Sequence, residues 1–112
     1  MNDSEREKLL LGRAYAIFVA EVAIKLQRLA DLLDAPAGVD SAARDRLRID
    51  MHTMKGGAGI FGLVKMSEIT GTLEKLFHGS RPIPDMTGEI SKLVNQLKKE
   101  VEKMPPPAQP AE

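Results

Sequence analysis

The 112-residue chain contains no cysteine, no tryptophan, one tyrosine and three phenylalanines. Without cysteine it has no disulfide framework, and thiolates can act neither as nucleophiles nor as metal ligands. Its two histidines, His52 and His78, stand at a spacing that matches no recognised metal site, so no metal is expected. The lack of cysteine is compatible with a reducing compartment, and we expect a cytoplasmic protein.

Net charge and long apolar runs are absent as well. Sixteen lysines and arginines balance sixteen aspartates and glutamates. A protein that binds duplex nucleic acid needs a basic surface, so we expect no nucleic-acid partner. No apolar segment approaches the roughly 18 residues of a membrane span, and the N-terminal MNDSEREK lacks the basic start and apolar run of a signal peptide. We therefore expect no membrane partner.

The alternating pattern of β-strands is also missing, whereas apolar residues recur with helical spacing in four segments. Residues that cap or break helices separate these segments. The predicted boundaries are a Ser4–Glu7 capping box and an end near Asp34, a cap at Asp40 or Ser41 and an end near Gly62, a third helix around Met66 that stops at Gly79, and a cap at Thr87. Short connections favour antiparallel neighbours, so the sequence predicts an all-α, up-and-down antiparallel four-helix bundle.

Two regions of the chain differ in composition. Residues 1–104 carry the helical patterns and are predicted to form one domain. Residues 105–112, PPPAQPAE, contain four prolines, which favour an extended and semi-rigid tail or linker.

The most informative segment is HTMKGGAGIFG, which runs from His52 to Gly62. An apolar stripe passes through it at helical spacing and consists of Leu47, Met51, Met54, Ala58 and Phe61. Successive residues turn by about 100° around a helix, which places His52 well off the centre of this stripe. Lys55, Gly56 and Gly59 fall on the same flank. We expect an imidazole that reaches solvent beside an ammonium group.

Three glycines within four residues are unusual in a helix, because glycine is less favourable there than alanine by roughly 1 kcal/mol. Gly56 and Gly59 flank His52, so their missing side chains leave space for a partner protein to approach the ring. Gly57 points the other way and is expected to allow close packing of a neighbouring helix.

Other motif readings are weaker. Gly57, Gly59 and Gly62 satisfy the dinucleotide-binding pattern GxGxxG, but that motif requires a preceding strand, and a charged helical segment stands there instead. No GK followed by Ser or Thr is present, which excludes a P-loop. His78 is interpreted as a helix-end residue, where a cation suits the helix dipole.

The segment HTMKGGAGIFG resembles the phosphoacceptor signature of histidine-containing phosphotransfer domains, most closely that of the N-terminal domain of bacterial chemotaxis histidine kinases. Phe18, Glu21 and Leu26 match the family's spacing in the first helix. The resemblance implies a four-helix bundle in which His52 is phosphorylated by the catalytic domain of a histidine kinase. His52 would then donate the phosphoryl group to an aspartate in the receiver domain of a response regulator.

The resemblance also assigns roles to neighbouring residues. Lys55 would lie near the phosphate, and Gly56 would leave room for the regulator. Glu74, 22 positions after His52 on the third helix, would accept a hydrogen bond from the other ring nitrogen. Such a carboxylate fixes the tautomer and makes the reacting nitrogen more nucleophilic. Gly71 departs from the chemotaxis pattern, because those kinases often carry a second histidine at this position.

The chain itself is expected to hold no cofactor, because ATP and Mg²⁺ would be supplied by the kinase domain or the regulator. Gly56, Gly59 and Arg48 are the predicted partner-binding residues. Charged residues before His52 are further candidates for influencing partner choice, and these are Arg44, Asp45, Arg46 and Asp50. Three functions remain open: a free-standing phosphoryl carrier, the N-terminal part of a chemotaxis-type kinase, and a helical interaction module that is never phosphorylated.

Overall fold

The computed structural model describes residues 2–107, and this part of the chain contains four α-helices and no strand. The helices are α1 (Asp3–Asp34), α2 (Ser41–Ile60), α3 (Val64–His78) and α4 (Thr87–Glu102). Short 3₁₀ turns at Pro36–Gly38 and Ile83–Met86 precede α2 and α4. Each helix contacts the next, and α4 packs back against α1. The predicted all-α, up-and-down four-helix bundle is therefore confirmed.

The start of α1 is not where the capping-box pattern placed it. Asn2 is the N-cap, and its side-chain oxygen accepts a hydrogen bond of 2.8 Å from the backbone N–H of Glu5. The predicted Ser4–Glu7 box is wrong, because both residues already lie inside the helix that Asn2 begins.

Of the caps predicted for α2 and α4, the first is confirmed and the second is wrong. Asp40 caps α2 by accepting a hydrogen bond of 2.7 Å from the N–H of Ala43, which confirms one of the two predicted residues. Thr87 does not cap α4, because it is already helical and its hydroxyl donates to the carbonyl of Pro84 at 3.4 Å. The preceding 3₁₀ turn leads directly into α4, so no side-chain cap is present there.

One apolar core joins the four helices, and the predicted stripes supply it. Its buried members come from every helix and from the second 3₁₀ turn: Val22, Leu29, Leu32, Leu47, Met51, Met54, Ala58, Met66, Leu73, Phe77, Ile83, Met86, Ile90, Val94 and Leu97. Each fully buried valine, leucine, isoleucine, phenylalanine or methionine side chain contributes roughly 1.5–3 kcal/mol through removal of apolar surface from water. The core therefore fixes which face of α2 is left for solvent.

Helix α1 is longer than its partners, and its first turns project beyond them. It has 32 residues, whereas α2 has 20, so at 1.5 Å per residue it is about 18 Å longer. Leu9, Leu10 and Leu11 are consequently exposed. Helical spacing alone could not show this exposure, because it arises where no other helix reaches far enough to cover α1.

At Gly57, α2 packs closely against a side chain of α1. A Cβ atom at this position would lie 2.5 and 2.6 Å from two carbons of the Phe18 ring, closer than real side chains approach. The ring of Phe18 also packs against Phe61 with centroids 5.4 Å apart. The prediction that Gly57 permits tight helix packing is confirmed.

The proline-rich segment begins as predicted after α4. Residues 105–107 have no helical structure, and the carbonyl of Pro105 accepts a hydrogen bond from the hydroxyl of Tyr15. The remainder of the predicted tail, residues 108–112, lies outside the described residues, as does Met1.

Candidate functional site

His52 lies on the solvent face of α2, where its side chain is 71% exposed. Its neighbours Met51 and Met54 turn into the core and are almost completely buried. Nδ1 of the ring lies 2.6 Å from Oε2 of Glu74 on α3. Nε2 has no hydrogen-bond partner among residues 2–107. The imidazole is thus held on one side and open on the other.

Lys55 reaches the same carboxylate from one helical turn further along α2. Its Nζ lies 3.7 Å from Oε1 of Glu74, while His52 contacts Oε2. The Lys55 side chain is 46% exposed and that of Glu74 is 18% exposed. Two α2 residues therefore share one half-buried carboxylate on α3. The resemblance implied the contact of Glu74 with His52, whereas helical spacing placed Lys55 only on the same flank as His52.

The charge of Glu74 is maintained by these neighbours. Partial desolvation alone would raise the pKa of Glu74, but the hydrogen bond from His52 and the charges of His52 and Lys55 outweigh it, so the pKa is lowered. Glu74 is consequently ionised at neutral pH and can only accept hydrogen bonds. Nδ1 of His52 must then be the donor, so in the neutral ring the lone pair is on Nε2, the nitrogen without a partner in residues 2–107.

The helix surface beside the ring has no side chains at Gly56 and Gly59. An added Cβ on Gly56 or on Gly59 would meet nothing within 4 Å, so neither glycine is required for packing within the domain. Two large apolar side chains flank this area: Ile49 is 48% exposed and Ile60 is 74% exposed. Sequence patterns missed both isoleucines because they lie off the core stripe, although their spacing from His52 places them on its face.

Arg48 lies one turn before His52, at the edge of the site. Its guanidinium donates two hydrogen bonds to Oδ1 of Asp45, at 3.0 and 2.8 Å. Arg48, His52 and Glu74 line one shallow surface depression together with Lys75, His78 and Gly79. His78 ends α3 as predicted, and this depression brings it to the same side of the bundle as His52.

Arg44 holds α2 against the end of α3. Its guanidinium donates to four backbone carbonyl groups, which belong to Leu76, Phe77, Gly79 and Arg81. These include orphan carbonyls that the end of a helix leaves without partners. Arg44 is therefore a structural residue, and its expected role in partner choice is corrected.

An ion pair between Arg28 and Asp50 links α1 to α2. Asp50 is buried, and both of its carboxylate oxygens accept from Nη1 of Arg28, at 2.8 and 2.9 Å. The expectation that Asp50 influences partner choice is likewise corrected, because its side chain faces α1. Asp45 and Arg46 remain on the surface, as predicted.

The described part of the chain contains neither a metal-binding cluster nor a membrane-spanning helix. No group of three or more aspartate, glutamate or histidine side chains in residues 2–107 is placed to hold a metal ion. None of the four helices combines the length and apolar character of a membrane span.

The family comparison agrees with this geometry. The family model of the Hpt domain matches residues 13–104, which is most of the chain. Searches of curated proteins and of solved structures gave no match. The projecting first turns of α1 precede the matched region, whereas all residues of the His52 site lie inside it. The chain thus belongs to the Hpt domain family, and it is a histidine phosphotransfer carrier of two-component phosphorelays rather than a catalytic kinase.

Proposed function

We propose that His52 is the phosphoacceptor of this domain and that Nε2 is the nitrogen that carries the phosphoryl group. The observation that carries the proposal is the unequal environment of the two ring nitrogens. Nδ1 is held 2.6 Å from the ionised Glu74, and the rest of the ring is exposed. A carboxylate on one nitrogen increases the basicity and nucleophilicity of the other.

The reaction requires little of the protein beyond orientation and charge. Nε2 of His52 forms a bond with the γ-phosphorus of ATP held by a kinase domain, the bond to the bridging oxygen breaks, and ADP leaves. The proton stays on Nδ1, where Glu74 accepts its hydrogen bond. In the second transfer the N–P bond breaks as a receiver aspartate oxygen attacks phosphorus. Lys55 provides positive charge beside both steps.

The partner classes follow from this chemistry. A histidine kinase catalytic domain supplies ATP and Mg²⁺, because the proposed acceptor site offers a nucleophile without a nucleotide cradle. A response regulator receiver domain takes the phosphoryl group. The flat surface at Gly56 and Gly59 lets either partner approach the ring, with Arg48 at its edge and Ile60 as an apolar contact.

The subclass proposal is a chemotaxis-type domain, either free-standing or at the front of a kinase chain. It rests on the resemblance around His52 together with the sharing of Glu74 by His52 and Lys55. Gly71 is the departure from that pattern. Since the ATP-dependent partners of such domains work in the cytoplasm, we assign the domain to that compartment.

Incubation with a histidine kinase and labelled ATP tests the phosphoacceptor. We expect the wild type to gain label that is lost in acid and retained in alkali, and His52→Gln to gain none. His78→Gln is the matched control, because it removes the only other imidazole of the chain, and it should label like the wild type. Label that persists in His52→Gln would contradict the proposal. Absence of label with every kinase tried would favour the interaction module instead.

A further inference from the structure

The Lys55 side chain lies along one face of α3 before it reaches Glu74 beside His52. Ser67, Gly71 and Glu74 are spaced by four and three residues, so they share one face of α3. Each of them contacts a different part of Lys55. We name this set, Ser67, Gly71 and Glu74, the lysine track.

The three contacts follow the lysine from its backbone to its end. The hydroxyl of Ser67 donates to the carbonyl oxygen of Lys55 at 3.3 Å. A Cβ added to Gly71 would lie 3.4 Å from Cδ and 3.7 Å from Cε of Lys55. Oε1 of Glu74 is 3.7 Å from Nζ. The aliphatic part of the lysine therefore lies directly over the bare backbone of residue 71.

A Cβ atom at position 71 would lie in contact with the Lys55 side chain. A distance of 3.4 Å is ordinary van der Waals contact, so alanine fits beside the lysine. A longer side chain that extends from this Cβ toward Lys55 would compete with Cδ and Cε for the same volume. Apart from residues 70 and 72 and the backbone of α3, Lys55 is the group within 4 Å of that Cβ position, so it is the group that such a side chain would displace.

We propose that Gly71 is a positioning residue for phosphotransfer, which acts by leaving the path that brings the Lys55 ammonium to Glu74 beside His52. The inference rests on the proposed role of His52. A lysine without this path would be an ordinary solvated side chain that samples many rotamers. Along the track its charge is already placed near the imidazole when phosphoryl transfer begins, so less reorganisation is needed in the transition state.

The same contact occurs at the position where the chain departs from the chemotaxis pattern. In this chain a ring at position 71 would occupy the volume of the Lys55 methylene groups. The glycine that weakens α3 locally thus lies beneath the lysine that crosses it.

A double-mutant cycle between positions 71 and 55 tests the inference. Gly71→Leu should slow phosphorylation about two- to five-fold, the range that one partly exposed ion pair supplies. Gly71→Ala should keep the wild-type rate, because its methyl group fits beside the lysine. In a Lys55→Ala background, Gly71→Leu should have no further effect. Gly88→Leu is a matched control, since it replaces a helical glycine of α4 that has nothing within 4 Å.

A readout that needs no kinase separates this inference from the phosphoacceptor assignment. The Lys55 charge contributes to the lowered pKa of Glu74. Carboxyl-carbon NMR of Glu74 should therefore show the same upward shift of its pKa in Gly71→Leu as in Lys55→Ala, and none in Gly71→Ala. Circular dichroism verifies that each variant is folded.

The contradicting results are distinct. An equal loss of rate for Gly71→Leu in both Lys55 backgrounds would mean that residue 71 acts on partner docking or on the fold, and would overturn the inference. An unchanged Glu74 titration in Gly71→Leu would also overturn it. Failure of the wild type to accept phosphate would instead contradict the assignment of His52, and the titration would still decide whether Gly71 places Lys55.

Discussion

At the scale of single residues, the site depends on one carboxylate that contacts two side chains of α2. Glu74 gives one oxygen to His52 and directs the other toward Lys55. Because Glu74 is ionised, the proton of the ring is confined to Nδ1. In the proposed mechanism, the phosphoacceptor nitrogen is thus chosen by Glu74 on another helix, outside the short sequence motif around His52.

Replacing Glu74 with glutamine tests this dependence. The change keeps the size of the side chain and removes its charge, and we expect phosphorylation of His52 to slow by about 10- to 100-fold, the range for removal of a partner that orients a functional imidazole. Stopped labelling reactions with a kinase domain measure the rate. A rate equal to that of the wild type would remove Glu74 from the mechanism.

The difference in stability between the wild type and Glu74→Gln should depend on pH. Folding lowers the pKa of Glu74, so its carboxylate stabilises the folded state above the unfolded pKa of about 4.3, and this contribution is lost as pH falls through the lower folded value. Glu74→Gln should therefore be less stable than the wild type near pH 7, and the difference should shrink on acidification. Denaturant titrations at several pH values measure it, and a constant difference would argue against the pairing.

At the scale of helices, adjacent glycines of α2 serve opposite purposes. Gly57→Ala should destabilise the domain by about 1–2 kcal/mol, because its Cβ collides with the Phe18 ring and overpacks the contact with α1. Gly56→Ala should stabilise it by up to about 1 kcal/mol, because the new methyl group meets nothing and alanine favours the helix. Urea unfolding of the two variants gives the comparison, and equal effects would contradict the assigned packing.

The contact between α2 and α3 depends on Arg44. Arg44→Ala should lower the free energy of unfolding by about 2–3 kcal/mol, because four carbonyl groups lose a charged donor. Arg46→Ala is the control, because that side chain is exposed and should change stability by less than about 0.5 kcal/mol. Denaturant unfolding of both variants measures the difference. Similar values would show that the Arg44 contacts add nothing to the bundle.

Helical periodicity predicted where the helices lie better than it predicted how they begin. The buried stripes of α2, α3 and α4 follow directly from the spacing of apolar residues. The predictions of Ser4 and Thr87 as N-caps were wrong, because several residues near each helix start are able to act as the N-cap. Which of them does so depends on the path of the chain before the helix. Arg44 and Asp50 looked like surface charges, since their partners are distant in sequence.

At the scale of the whole molecule, the bundle buries one face of α2 and leaves the His52 imidazole exposed to solvent. The sequence predicted four helices and the face that carries His52, because both follow from local patterns. It could not predict that α1 projects beyond its partners, because coverage depends on the lengths of all four helices together. It also missed the contact of Lys55 with Gly71, which is defined only once α2 and α3 are packed.

The assignment of phosphate to Nε2 of His52 is tested most directly by NMR of the domain with ¹⁵N-labelled histidine after incubation with a histidine kinase domain and ATP. We expect phosphorus coupling at Nε2 of His52, with the proton retained at Nδ1 beside Glu74 and the His78 ring unchanged. A phosphoryl group on Nδ1 of His52, on His78 or on any other side chain would contradict the central claim.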